Sequence, residues 1–304
     1  MLTAESIIVV GSSNTDMVIR AEKFPVPGET ILGGKFFLFP GGKGANQAVA
    51  AARLGGQVTF IAKVGSDIFG EQALQQFKKE GIRTQFIVSD PKNPSGVALI
   101  TVDVNGANTI VVAQGANGAL TSADIQKAEK EFEHVNILLM QLEIPMDAVV
   151  HAAKLATRHR GKIILNPAPA RPLPDELLKD LFVITPNQSE AESLLQMEIT
   201  DINSVQIAAK KLHDKGVKHV VITLGAEGAF LFDHSGGRHI TAPKVIPIDT
   251  TAAGDVFNGA LAVAIAENKS VDEAVAFANG AAAISVTKMG AQTSAPFRNE
   301  LLIT

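Results

Sequence analysis

The sequence predicts an α/β fold: a three-layer sandwich with a mainly parallel central sheet, plus a small β-sheet lid. Three observations predict it. Short β-rich runs alternate with helical patterns along most of the chain, the order that a parallel sheet covered on both faces requires. The apolar runs lack strict alternation, as expected when both faces of a strand are buried. Two stretches, 17–39 and 95–112, break the rhythm with extended residues that no helix follows.

Taken in order, the first strand is expected at 7–11. The first irregular stretch follows, with Pro25, Pro27, Gly28, Gly33 and Gly34 among extended residues. A small-residue helix near 44–54 leads to a strand at 58–64, and a helix near 71–80 precedes the second irregular stretch. There, runs at 97–103 and 109–112 flank Asn105-Gly106, and Asn-Gly between extended runs is a strong hairpin signal. Strands at 137–141, 162–166, 181–185 and 217–224 then alternate with helices near 122–131, 146–159 and 204–215. A strand at 229–232 and two Ala-rich helices, about 254–267 and 271–287, complete the chain. The irregular stretches read as a separate small sheet, a lid or oligomer interface built from segments of about 14–40 and 95–113. Edge additions to the main sheet are the alternative. The whole of 1–304 reads as one domain, without repeats or a long linker.

With 304 residues, 46% of them hydrophobic, the chain can bury a core without covalent staples. It has no cysteine, which excludes disulfides, thiolate catalysis and Cys-based zinc sites and fits a reducing cytosol. The first residues show no basic segment followed by a long apolar one, which argues against a secretory leader. No apolar run approaches the ~18–20 residues that span a bilayer. A net charge of −4 without a basic block argues against nucleic acid as a partner. The expectation is a cytoplasmic globular protein with no membrane or nucleic-acid partner.

The most informative segment is Asp249-Thr250-Thr251-Ala252-Ala253-Gly254-Asp255, which opens directly into the apolar run Val256-Phe257-Asn258-Gly259-Ala260-Leu261. A first helical turn leaves backbone N–H groups unpaired and carries partial positive charge. Such a mouth can bind a transferring phosphoryl group, and Asp255 inside that turn could take the proton of an attacking hydroxyl.

Pro40-Gly41-Gly42-Lys43-Gly44-Ala45-Asn46-Gln47-Ala48 is neither a Walker A loop nor a dinucleotide fingerprint, because its spacing fits neither. It offers a backbone that a ligand can approach, with Lys43 and Asn46 on one helical face, or simply a turn entering a small-residue helix. Asn14 and Asp16 follow the first strand and Glu143 follows the strand at 137–141. That is where α/β sheets bind ligands, although Asn and Asp are also ordinary turn formers. Asn187 and Glu190 have capping-box spacing; Glu190 could equally help to hold hydrated Mg²⁺. Thr223-Leu224-Gly225-Ala226-Glu227-Gly228 is by default a tight turn between strands, or else a loop that admits nucleotide phosphates. The seven histidines show no ligand pairing, and no Gly-x-Ser-x-Gly elbow is present.

The segments 41–48 and 249–255 together resemble the two signatures of the ribokinase-like carbohydrate kinases. Ordered segments between them fit as well: Asn14-Thr15-Asp16, Val64-Gly65-Ser66-Asp67-Ile68-Phe69-Gly70, Asn187-x-x-Glu190 and Thr223-Leu224-Gly225. The resemblance spans essentially the whole chain. It implies an α/β sandwich with a β lid, ATP with Mg²⁺ as phosphoryl donor, and D-ribose phosphorylated at its 5-hydroxyl. Asp255 would be the base, and the backbone of Ala252, Ala253, Gly254 and Asp255 the anion hole. Asn14, Thr15, Asp16, Gly42, Lys43, Gly44, Ala45, Asn46 and Glu143 would form the sugar site. Asn187, Thr223, Leu224, Gly225, Ala226, Glu227, Gly228, Gly254 and Asn279 would line the ATP site, with Glu190 near Mg²⁺. The family is activated by a monovalent cation, usually K⁺, which maps onto Asp249, Thr251, Ser285, Lys288, Gly290 and Ser294, several through carbonyl oxygens. A homodimer through the lid sheets is implied too. Family members that act on deoxyribose, fructose, 2-keto-3-deoxygluconate or nucleosides are the near alternatives, and a non-catalytic sugar sensor the distant one. The absence of Trp and Tyr favours a bare sugar over a nucleoside, whose base would want an aromatic surface.

Overall fold

The alternating runs form thirteen strands and ten α-helices in a computed structural model that describes residues 6–302. Residues 1–5, where no leader is expected, and the last two residues of the 1–304 span lie outside the described residues. The strands are β1 Ser6–Val10, β2 Asn14–Arg20, β3 Lys35–Gly41, β4 Gln57–Gly65, β5 Ile87–Asp90, β6 Gly96–Val102, β7 Asn108–Ala113, β8 Ile137–Met140, β9 Lys162–Leu165, β10 Val183–Ile184, β11 His219–Thr223, β12 Ala229–Asp233 and β13 Gly236–Ile240. The helices are α1 Lys43–Arg53, α2 Ile68–Lys79, α3 Ser122–Gln126, α4 Glu129–Phe132, α5 Met146–Arg158, α6 Asp175–Asp180, α7 Gln188–Leu195, α8 Ile202–Asp214, α9 Ala253–Ala266 and α10 Val271–Ser285.

Nine strands form the main sheet in the order β13-β12-β11-β10-β9-β8-β1-β4-β5, parallel except that β12 runs antiparallel to its neighbours β11 and β13. Alternate residues of each central strand feed two different cores. Ile7 and Val9 of β1 join the core built with α1, α9 and α10, while Ile8 and Val10 join the one built with α5 and α8. Both faces are therefore apolar, which is why the strands read as unbroken hydrophobic runs. From Asp255 to Ala266 every residue of α9 is buried, as expected of a helix that is apolar all round. Strand order reverses between β1 and β8, and ligands of open α/β sheets bind in the crevice at the C-terminal ends of strands on either side of such a switch.

The irregular stretches form a second sheet, β3-β2-β6-β7, so the lid expectation holds over edge addition. Asn14 pairs with Gly41 on one side and with Gly96 on the other, rooting the lid beside β1. Strand register places Met17, Leu38, Leu99 and Val111 on one face and Asp16, Phe39, Ala98 and Val112 on the other. The hairpin between β6 and β7 is wider than its Asn-Gly suggests, because the Asp103 carboxylate accepts from Asn105 N and Ala107 N and closes the turn from outside.

Three local readings change. The helix expected near 122–131 is split into α3 and α4. The helix expected near 71–80 begins at Ile68, because Asp67 caps it by accepting from Gly70 N. β13, with its Gly-Gly-Arg-His-Ile sequence, carries no apolar alternation. It is an edge strand held by β12 and by Arg238, which bridges Asp233 and Asp272.

Candidate active site

The glycine-rich segment is a contact between two loops. Gly42 has φ 88°, and a Cβ there would lie 2.7 Å from Asn14 N and 2.9 Å from Ser13 Cα. Glycine is thus required twice over, by conformation and by space. The loop settles on the segment after β1: Ala45 N donates to Ser12 O at 2.8 Å and Gly44 N to Ser12 Oγ at 3.3 Å. Lys43 N, at the open N-terminus of α1, donates to Glu143 Oε2 at 3.0 Å, and Ser12 Oγ donates to the same oxygen. A carboxylate is favoured at such an end. Glu143, in the segment after β8, is thereby fixed against the switch point.

The second mouth is that of α9. Ala252, its N-cap, is left-handed at φ 59°, an unusual conformation for a residue with a side chain and one that clusters at functional sites. Gly254 has open space where a Cβ would stand, so its absence leaves the first turn free to receive a ligand. Asp255 is buried in that turn, with Oδ2 accepting from Asn46 Nδ2 at 2.9 Å and Oδ1 from Gln47 Nε2 at 3.0 Å. A cavity of about 190 Å³ brings Lys43, Asn187, Glu190, Thr223, Ala252, Ala253, Gly254 and Asp255 together. It adds Asn166, Ala168 and Thr185, which the sequence did not single out, and Thr250 and Asn258, to which it gave no role. Lys43 is the one basic side chain lining it among the described residues.

A second cavity of about 240 Å³ lies under the lid, lined by Asn14, Val112, Gln114, Asn117, Glu143 and Pro169. Asn117 is buried and donates to Asn14 Oδ1 at 2.7 Å, while its own Oδ1 accepts from Ser13 N. The amide hydrogens of Asn14 are thus left for a ligand. The Asn46 Oδ1 acceptor is buried without a partner. Thr15 does not join this group: one step along β2 turns it to the opposite face, where it pairs with Pro40 and Val97. Gly44 and Ala45 are buried and contribute backbone alone.

Asp16 stands near Glu143, Asp255 and Lys43. Burial, and then the Glu143 and Asp255 charges, push its carboxyl up to about 6 against the pull of Lys43. Folding thus disfavours the ionised form. The associated stability is whole below the ordinary value of 3.8 and is lost as pH rises through about 6. Asp16→Asn is expected to stabilise the ligand-free protein at pH 8 by roughly 2–3 kcal/mol, some 5 °C in Tm, and to change little at pH 5. Thermal denaturation at the two pH values checks this; equal gains at both would contradict it.

Lys43 is held charged above its ordinary range, first by Asp255 and then, against burial, by Glu143, Glu190 and Asp16. Asn187 and Glu190 do form a capping box, Asn187 Oδ1 accepting from Glu190 N and Glu190 Oε2 from Asn187 N. The same Glu190 carboxyl lines the cavity and is raised by burial and by Asp255. The capping-box reading therefore holds, with the carboxyl also facing the cavity. Asn187 bridges to Thr223 at the end of β11. Leu224, Gly225, Ala226, Glu227 and Gly228 make the tight turn into β12, closed by Leu224 N donating to Gly228 O. Asn279 donates to Ile240 O, next to the segment against which Gly228 packs.

The remaining positions surround the loop before α9. Asp249 accepts from Thr251 N at 2.9 Å and from Gly290 N at 2.8 Å, tying two loops together. Ser285 and Ser294 are buried, their hydroxyls donating to Ala282 O and Ala291 O. The Lys288 ammonium pairs with Glu300, which leaves its carbonyl as the only group it could offer a cation. Among the described residues no group of three or more His, Cys, Asp or Glu converges on a metal position, and no helix is long and apolar enough to cross a membrane.

Residues 4–298 match the family described as pfkB family carbohydrate kinase. The chain is 47% identical over 298 residues to the ribokinase of Haemophilus influenzae, covering 98% of this chain and 97% of that one. It is 43% identical over 298 residues to the ribokinase of Bacillus subtilis, covering 97% and 98%. The solved structure of Arabidopsis thaliana ribokinase complexed with ribose and ATP superposes with a TM-score of 0.93 at 32% identity, covering 99% of this chain and 98% of that one.

Proposed function

The chain belongs to the pfkB family of carbohydrate kinases, and from that premise we propose that it phosphorylates D-ribose at the 5-hydroxyl with ATP. One observation carries the residue-level reading. The mouth of α9, with Asp255 in its first turn and Lys43 beside it, opens into a cavity adjoining the pocket under the lid.

In this reading Asn14, Asp16, Asn46 and Glu143 hold the sugar hydroxyls, with the backbone of 42–45. Asn14 and Asn46 each have an amide group left over for the task. The 5-hydroxyl oxygen attacks the γ-phosphorus of ATP and its proton passes to Asp255. The bond from phosphorus to the β–γ bridging oxygen breaks, and ADP leaves with the electron pair. The backbone N–H groups of 252–255 and the Lys43 ammonium stabilise charge on the transferring group. Such chemistry needs mainly positioning and charge stabilisation. Asn187, Thr223, the 224–228 turn, Gly254 and Asn279 form the nucleotide side. Glu190 would hold hydrated Mg²⁺, which neutralises phosphate charge when bound. A monovalent cation, K⁺, fits the carbonyl-rich loops that Asp249 ties together, with Thr251, Ser285, Lys288, Gly290 and Ser294 around it. The site of action would be the cytoplasm. Neither cavity has an aromatic lining residue, which favours a bare sugar over a nucleoside. A panel of pentoses, hexoses and nucleosides with ATP, run in Na⁺ or K⁺ and scored for product, tests the reading. Ribose turning over no faster than the other sugars would sink it.

The outer face of the lid supports a homodimer. Leu38, Leu99 and Val111 stand in register there at 51, 57 and 69% exposure, with Ile19 and Phe36 beside them. An exposed patch of this kind marks an interaction surface. Leu99→Glu is expected to shift the protein from dimer to monomer in sedimentation velocity; a parent chain that sediments as a monomer at micromolar concentration would refute the dimer.

A further inference from the structure

We infer that Gln47 is a positioning residue for phosphoryl transfer, one that fixes the orientation of the Asp255 carboxylate from behind. The inference rests on the reading of Asp255 as the base. Gln47 is fully buried and lines neither cavity, so it acts through Asp255 and not on substrate.

Its amide can take only one orientation, and the reason lies two residues away. Asn166 Nδ2 donates to the backbone carbonyl of Thr185 at 3.1 Å. A carbonyl only accepts, so Asn166 must turn its Oδ1 toward Gln47. Gln47 Nε2 therefore faces Asn166 Oδ1 at 3.1 Å and Asp255 Oδ1 at 3.0 Å, donating one hydrogen to each. Its Oε1 accepts from Gln141 Nε2 at 2.6 Å. Gln47 thus links the ends of β8, β9 and β10 to the first turn of α9. A parallel chain fixes that turn itself, since Thr185 Oγ1 donates to Asn258 Oδ1 and Asn258 Nδ2 to Gly254 O.

The backbone brings Gln47 this close on purpose-built geometry. Asp255 and Gly259 are four apart on α9 and share a face. A Cβ at Gly259 would lie 2.8 Å from Gln47 O and 2.7 Å from Ala50 Cβ. The missing side chain lets α1 pack directly on α9 at Gln47, one turn from the base. Asn46, the residue before it on α1, holds the other carboxylate oxygen. With both oxygens engaged, the carboxylate cannot rotate without breaking a buried hydrogen bond.

The test is single-turnover phosphoryl transfer in Gln47→Leu and Gln47→Glu, with thermal denaturation and equilibrium sugar binding alongside. Gln47→Leu is expected to slow transfer about 10–100-fold with sugar binding nearly unchanged. Gln47→Glu, which sets a second carboxylate against Asp255 in place of a donor, should slow it at least as much. A residue that merely fills space would lower Tm and leave the rate in place. A folded Gln47→Leu variant within about twofold of the parent rate overturns the inference. If Gln47→Leu does not fold, a parent-like rate in the isosteric Gln47→Glu does so instead. Asp255→Asn separates the two levels: parent-like transfer in that variant removes the base and this inference together. Loss of transfer there, with Gln47 variants unaffected, removes this inference alone.

Discussion

Asp255→Asn is expected to lower kcat by about 10²-fold or more while equilibrium binding of the sugar largely survives. The substitution keeps size and shape but replaces one carboxylate oxygen by a donor. Both oxygens now accept from amide hydrogens, of Asn46 and Gln47. An Asn at 255 can satisfy one of these, and its own NH₂ then confronts the other. The resulting buried mismatch should cost about 1–3 kcal/mol of stability, well short of unfolding. The rate falls for a different reason: the attacking hydroxyl loses its proton acceptor. Rapid-quench measurement of the phosphorylated sugar, alongside calorimetric sugar binding, separates the two effects. Turnover near that of the parent would assign the proton to another group.

The two signature segments were legible because each carries its geometry in small residues. Gly42 reports that the loop meets Ser13 and Asn14, and Gly254 that the mouth of α9 stays open. The alternation of apolar runs and helices gave the sandwich, and the absence of a helix after residues 17–39 and 95–112 gave the lid. What could not be read were partners from distant segments. Gln47 and Asp255 lie 208 residues apart, and Ser12 and Glu143 131 apart. Buried amides and hydroxyls of this kind have no period and no spacing rule; Asn166, Thr185 and Asn258 look like ordinary strand-end and helix residues until the strands are aligned. Asn117 carried no signal either, because its role is to hold Asn14 across the base of the lid. Thr15 shows the opposite error. The resemblance counts it with the sugar site, yet it lies in a β-strand, and a strand turns alternate side chains away.

Lys43→Met should have an effect as large as the loss of the base, and by a different route. The Lys43 ammonium stands among Asp255, Glu143, Glu190 and Asp16, and no other basic side chain lines the cavity among the described residues. Methionine matches the aliphatic stem and removes only the charge. Four carboxyl groups then face an incoming polyphosphate with no basic side chain lining the cavity among the described residues to offset them. A preorganised charge of this kind is commonly worth about 10²–10³ in kcat, and here ATP binding should weaken as well, so kcat/KM for ATP falls further than kcat. Lys43→Arg should recover little, because the forked guanidinium is broader than an ammonium and its neighbours Gly42 and Gly44 are already in backbone contact with residues 11–14. The pH dependence distinguishes this from simple misfolding. With the cation gone, Asp16 loses the one charge that pulls its carboxyl down, so it should take up its proton at a higher pH than about 6. Lys43→Met should therefore be destabilised most at pH 8 and recover toward the parent near pH 5, as Asp16 becomes neutral. Denaturation curves at both pH values, with steady-state kinetics at pH 8, would show it; a uniform loss of stability across that range would mean that Lys43 acts through packing and not through charge.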